Sequence, residues 1–282
     1  MLLSYSTWGM PKVPIDIAIA HCAALGFDGL EMACIPGWVT DAALLDAAAR
    51  ARIRRLYDDH GIALSGLCGN SPLLLDDADG LAASMDRLRS YLDLASELSA
   101  AGGEPLGVSC TSGGRPENWD ANRGALVERY GELARYAQAR GVRITAEPHV
   151  GAALHTPDGA RWLVEQVGSP GLGIHFDISH FNVQGMDMDR VVAELGPVCA
   201  HTHVKDERGV QPDYEFLIPG EGDMDYVRYL RGMERAGYRG HITVEISIMV
   251  QRRPDYDPLA AATRSYEVLA AAFEAAGSRA GR

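Results

Sequence analysis

The stretch GVRITAEPHVGAALHTPDGARWLVEQVGSPGLGIHFD, residues 141–177, decides the fold. Its two short apolar runs, 142–147 and 172–177, read as strands, and 157–167 between them reads as an amphipathic helix. Thr156 is the expected N-cap, because a threonine oxygen there accepts a hydrogen bond from an orphan amide of the first turn. Strand, helix, strand in this order implies parallel pairing through a right-handed crossover. Each run also ends on a carboxylate, Glu147 and Asp177.

Outward from this unit the same pattern repeats. Strands are expected over 2–6, 29–33, 62–67 and 105–110 before it, and over 198–203 and 241–245 after it. Helices are expected over 14–25, 41–60, 80–101, 119–140, 187–195, 223–236 and 258–276. Gly26, Gly61 and the pair Gly102-Gly103 stand where a helix needs a left-handed stop. Eight strand–helix units, at about 35 residues each, fit an α/β fold built as a single (β/α)8 TIM barrel. The barrel is expected to span 1–282, with 276–282 as a frayed tail. An open doubly wound sheet is the rival, but no GxGxxG follows the first strand.

Acidic residues number 38 against 26 basic ones, a formal charge of -12. Phosphate backbones and anionic lipid attract basic surfaces, so no nucleic acid and no membrane is expected as a partner. No apolar run reaches the roughly 18 residues of a membrane span, and residues 1–9 read as a strand rather than a signal peptide. The five cysteines are widely spaced without a CxxC pair, which argues against a disulfide framework or a structural zinc and for a reducing, cytoplasmic setting. Assembly into a homo-oligomer or with a partner subunit is left open.

In a barrel of this kind, chemistry sits where strands end. Run five ends on Glu147, run six on Asp177 with His180 three residues on, run seven on His201, His203 and Lys205, and run eight on Glu245. A charge after an apolar run is costly unless it is paired or bound to a metal. Glu147, Asp177, His203 and Glu245 would therefore converge on one divalent ion at the barrel mouth. Three carboxylates and one imidazole suit Mn2+ best, with Mg2+, Co2+ and Zn2+ as alternatives. His201 and His203 are expected on opposite sides of their strand, with His203 facing the mouth and His201 supporting it or sitting in the core.

His149, two residues past Glu147, is expected to face the same way and to serve as acid or base for a leaving group. Lys205 is expected to meet a substrate oxygen, or else to pair with Asp206. Trp8, Trp38, Asn70 and Cys110 follow the first four strands and are candidate pocket walls, and 249–253 is a basic loop after the eighth.

The chain resembles the xylose-isomerase-like TIM-barrel superfamily, and within it the sugar phosphate isomerase/epimerase group, which includes ketose 3-epimerases, inosose dehydratases and inosose isomerases. The carriers are GFDGLEM (26–32), GVRITAEPH (141–149), GLGIHFDISH (171–180), HTHVKD (201–206), IPGEGDMDY (218–226) and GYRGHITVEIS (237–247). The resemblance implies a metal site on Glu147, Asp177, His203 and Glu245, and a substrate-binding histidine at His180. It implies proton transfer by Glu147 and Glu245 on opposite faces of a sugar, and a strand-two acid, Glu31, at the site edge. Ketose 3-epimerases carry a second glutamate where Ala153 stands and an arginine where Gly209 stands, with Arg208 one short. The extra histidines of the superfamily's three-zinc DNA-cutting member are not found.

The chemistry implied is proton abstraction next to a carbonyl, in a divalent-metal-dependent isomerase or epimerase of a sugar or cyclitol. The alternative is a metal-dependent lyase, resembling inosose dehydratase or eliminating from a 3-keto sugar conjugate such as a C-glycoside. A non-enzymatic carbohydrate-binding barrel is the third reading.

Overall fold

The computed structural model describes residues 1–100 and 103–279. The first half runs β1 (Leu2–Ser6), α1 (Ile15–Leu25), β2 (Gly29–Ala33), α2 (Ala47–His60), β3 (Ala63–Cys68), α3 (Ala78–Leu98), β4 (Gly107–Thr111) and α4 (Trp119–Gln138). It continues through β5 (Arg143–Glu147), α5 (Pro157–Val167), β6 (Leu172–Asp177), α6 (Ser179–Asn182), α7 (Met188–Leu195) and β7 (Cys199–Val204). A hairpin of β8 (Asp206–Val210) and β9 (Asp213–Leu217) follows, then α8 (Tyr226–Arg235), β10 (His241–Val244), α9 (Ile248–Gln251) and α10 (Pro258–Ala276). Eight parallel strands close in the order β1-β10-β7-β6-β5-β4-β3-β2. This is the single (β/α)8 barrel expected from the repeating unit.

The local rules operate where they were expected. Thr156 Oγ1 accepts from the Gly159 amide at 3.1 Å and starts α5, and Gly26, at φ 101°, ends α1 in the left-handed region that glycine tolerates. Several features differ. The helix expected over 41–60 is a short 3-10 turn followed by α2, because Asp46 caps Ala49 (2.8 Å) and restarts the helix. The helix expected over 80–101 ends at Leu98, where the Ser99 hydroxyl bonds back to the Ala95 carbonyl at 2.7 Å; Ala101 and Gly102 lie outside the described residues. The tail is held rather than frayed through Arg279: Ser278 Oγ donates to Glu234 (2.8 Å) and Arg279 to the Gly26 carbonyl (2.7 Å), while 280–282 lie outside the described residues. The antiparallel hairpin β8–β9 was not expected at all.

The strands divide their two faces sharply. In β6, Ile174 and Phe176 point out to the helices, where Phe176 meets Phe181 and Tyr229, while His175 and Asp177 point inward. In β1, Tyr5 packs outward on Phe27, and Ser4 and Ser6 point inward to Ser65 and Glu31. The barrel interior is thus rich in hydroxyls, imidazoles and carboxylates, and the apolar core lies between strands and helices. All five cysteines are free; burial pushes the Cys22 and Cys110 thiols up to about 12, in keeping with packing rather than nucleophilic roles. Among the described residues no helix is long and apolar enough to cross a membrane.

Candidate metal centre

The ends of β5, β6 and β7 bring Glu147, Asp177 and His203 together, with one donor atom of each within 4.8 Å of the others. Asp177 and His203 are register partners across neighbouring strands. Asp177 is fixed by its own loop, since Oδ1 accepts from the Ser179 amide (3.0 Å) and hydroxyl (2.6 Å), which leaves Oδ2 turned to the interior. Glu245 follows β10 and is tied by its amide to the Val204 carbonyl (3.0 Å), which sets its Oε1 3.4 Å from His203 Nδ1.

These residues fit a divalent ion. His203 donates from Nε2 to Glu31 Oε2 at 2.8 Å, and its buried Nδ1 has no hydrogen-bond partner. A carboxylate only accepts, so Nε2 carries a proton, and Nδ1, turned to Glu245, is the atom an ion would take after displacing the proton that Glu31 and Glu245 favour on the ring. A ring whose far nitrogen is held by a carboxylate is the usual support of a metal-binding histidine. The donor set can hold a metal, and its oxygen-rich chemistry does not by itself choose among the candidate ions.

Glu31 does not lie at the site edge, as the resemblance implied. It is fully buried inside the barrel, accepting from Ser6 Oγ (2.5 Å), His201 Nε2 (3.0 Å) and His203 Nε2. Burial alone would push its carboxyl up; His203 and His201 outweigh that and hold it well below the usual range. The same contacts correct the expectation for β7. Residues two apart in a strand share a face, so His201 and His203 both enter the barrel, one above the other on the same carboxylate.

Lys205 finds other partners than Asp206. Its ammonium bonds Asp177 Oδ2 at 2.5 Å and Glu245 Oε2, and a ring contact to Phe216 (5.2 Å) lies beside it. Asp206 is not its partner; that carboxylate accepts from the amides of Glu207, Gly220 and Met224 and closes the loop after the hairpin.

The surroundings act on the two glutamates in opposite directions. Burial and then the charge of Glu245 push Glu147 up to about 7. Burial also works against Glu245, but Lys205 and His203 hold it well below the ordinary range. Burial brings both His149 and His180 down to about 4, so both rings are neutral near pH 7.

His149 stacks on His180 with ring centroids 3.8 Å apart, and its Nδ1 is spent on the Val150 carbonyl at 2.6 Å. His180 Nε2 lies 3.4 Å from Asp177 and 3.6 Å from Glu147, and its ring meets Phe216 edge-on at 5.3 Å. Trp8 and Trp38 stack on each other at 4.8 Å, with Trp38 Nε1 donating to the Trp8 carbonyl. Asn70, at the positive φ of 21°, accepts from Thr111 Oγ1, the register neighbour of Glu147. The basic loop expected at 249–253 opens as α9; in it Gln251 holds the Trp8 carbonyl, and Arg253 beyond it pairs with Glu221. Arg208 is no substitute for the epimerase arginine, because it points outward along the hairpin to Glu215 and the Glu221 carbonyl.

Three residues at the centre escaped the sequence reading. Ser179 is announced by its place two residues after Asp177, as a local cap of that carboxylate. His175 precedes Asp177 by two and so shares its inward face, a signal the alternation rule carries. Phe216 arrives on the unforeseen hairpin, and nothing local marks it.

A family model described as a xylose isomerase-like TIM barrel matches residues 19–271, and the chain belongs to that family. Fructoselysine 3-epimerase of Escherichia coli O157:H7 is 26% identical over 260 residues, covering 88% of this chain and 91% of that protein. In fold, the chain matches the zinc-bound crystal structure of the IOLI protein (TM-score 0.81, 17% identity, 99% of this chain and 100% of that one). It also matches D-psicose 3-epimerase crystallised with D-fructose (TM-score 0.77, 18% identity, 98% and 100%).

Proposed function

We propose that this member of the xylose isomerase-like barrels is a divalent-metal-dependent isomerase or epimerase of a sugar or cyclitol, acting by proton transfer next to a carbonyl. The observation that carries the reading is the pair Glu147 and Glu245. They come from separate strands to the cluster that Asp177 and His203 share, which places two carboxyls beside one candidate metal position. Two carboxyls brought to one reacting centre are suited to act as acid and base. The similarity to fructoselysine 3-epimerase over most of both chains supports the same class.

Glu147, Asp177, His203 and Glu245 would hold the ion, with Mn2+ the first candidate and Mg2+, Co2+ and Zn2+ the others. When bound, it supplies Lewis-acid stabilisation of the negative charge that develops as the proton leaves. Glu245, kept ionised, takes the carbon-bound proton on one face of the substrate. Glu147 delivers a proton on the other. His180 and Lys205 would bind substrate oxygens, Asn70 would add a polar contact at the rim, and the Trp8–Trp38 stack would present an apolar face to the sugar ring. Glu31 acts on the reaction only through the orientation of His203.

Elimination is a second reading, favoured by His149. Its Nδ1 is already committed to Val150, so the neutral ring offers Nε2 as a proton carrier beside His180. The buried Ala153 leaves no second glutamate to do this work. Incubation of ketoses, inososes and 3-keto glycosides in deuterated water with Mn2+ separates the readings. Solvent deuterium in an isomeric product supports the first, and loss of water or an aglycone supports the second. Glu245→Gln is expected to abolish either activity; a fully active variant overturns the metal-centre reading.

A further inference from the structure

Below the cluster just described lies a second set of metal-ligating side chains. Glu31, His175, His201 and His203 each place one donor atom within 4.8 Å of the other three, and all four are buried. His175 is the member that requires explanation. It is fully buried, yet neither Nδ1 nor Nε2 has a hydrogen-bond partner. Its ring stands edge-on to His203 at 4.1 Å and to His201 at 5.1 Å. A neutral imidazole has one donor and one acceptor, and leaving both unmet in a sealed interior costs roughly 1–3 kcal/mol for each group. Interior polar groups without a protein partner commonly answer to something bound.

We propose that Glu31, His175 and His201 form a second cation site inside the barrel, one layer beneath the Glu147–Asp177–His203–Glu245 cluster. Glu31 can serve it without releasing His203, since its Oε2 holds His203 and its Oε1 faces His201. The donor set is different in kind from the upper one. Two imidazoles and one carboxylate are nitrogen-rich and suit Zn2+ or Co2+, whereas three carboxylates and one imidazole suit harder ions. The inner site also has its own approach. His201 lines a cavity of about 660 Å³ at the opposite end of the barrel from Glu147, together with Ser65 and Gly107. Room beside the ring is kept by Gly66, where a Cβ would stand 3.2 Å from His201 Nε2.

The test uses Co2+ as the probe on the full chain after chelator treatment and exchange into metal-free buffer. Equilibrium dialysis is expected to give two ions per chain, with the intense visible absorption of a nitrogen-rich site. His175→Gln and His201→Gln are each expected to lower the count to one and remove that band. Asp177→Asn is expected to lower the count to one while keeping the band, so loss of the upper site and loss of the inner site are told apart. Anomalous scattering at the cobalt edge from wild-type crystals decides the matter even where a variant fails to fold, with a peak expected between Glu31, His175 and His201. A single ion in wild-type protein, a count unchanged in His175→Gln, or a water beside His175 with no anomalous peak overturns the proposal.

Discussion

Lys205→Met is the perturbation with the most to say about the centre. The ammonium is almost wholly enclosed, bonded to Asp177 at 2.5 Å and to Glu245, whose side chains are 0% and 13% exposed. Methionine keeps the length and apolar stem and deletes only the charge. Removing one member of a buried pair costs about 3–5 kcal/mol, because the remaining carboxylates stay buried without a cation. At about 2.1 cal/mol/K per residue, 282 residues give an unfolding entropy of roughly 0.6 kcal/mol/K. The chelator-treated variant should therefore melt roughly 5–8 °C below wild type. Mn2+ should restore most of that loss, since a cation held by Asp177 and Glu245 replaces the missing charge. Wild-type protein must give up the lysine bonds to bind the ion and so should gain less. If the full cost is recovered on binding, the variant's affinity exceeds wild type's by roughly two to three and a half decades, at 1.4 kcal/mol each. Differential scanning fluorimetry with chelator and across a Mn2+ series checks both signs. Equal Mn2+ shifts in the two proteins, or a chelated variant as stable as wild type, would refute the reasoning.

Glu31→Gln should loosen His203 and weaken Mn2+ binding about 10–100-fold by calorimetry, with unchanged affinity counting against a supporting role. Glu207 is buried, and burial pushes its carboxyl up to about 8 against the opposing Asn182 hydrogen bond. Between its ordinary pKa and that value the folded state holds a proton the unfolded state lacks, so stability falls as pH rises through this window. Glu207→Gln escapes the loss. Its urea midpoint should exceed wild type's at pH 7 by the equivalent of at most roughly 3 kcal/mol, with no gain below pH 4.5; a pH-independent difference contradicts this. His149→Gln should suppress elimination while leaving solvent deuterium exchange intact, and equal loss of both would remove His149 from the leaving-group role.

The barrel was legible because strand-like runs alternate with helical stretches eight times, and the site was legible because the last four runs end on residues that no apolar core would accept. Glu147, Asp177 and His203 announce themselves in this way, and the structure brings them together. The depth of Glu31 was not legible, since a strand residue's inward face does not tell how far along the axis it lies. The β8–β9 hairpin hides for a different reason. Its two arms mix charged and apolar residues, and only Gly209 and the Gln211–Pro212 pair punctuate them. Lys205 could not have been placed from the sequence, because its partners arrive from β6 and from the end of β10.

The division between the two faces of each strand has an evolutionary consequence. Cohesion resides in the outer ring, where Phe176, Tyr229, Tyr5 and Phe27 interlock with the helices. The inner lining of serines, histidines and carboxylates contributes reactivity and little hydrophobic adhesion. Exchanges of one paired polar residue for another in the lining therefore leave this cohesion intact, whereas substitutions that cut into the outer ring remove it. A lineage with this layout can exchange one transformation for another while its folding machinery stays under separate selection.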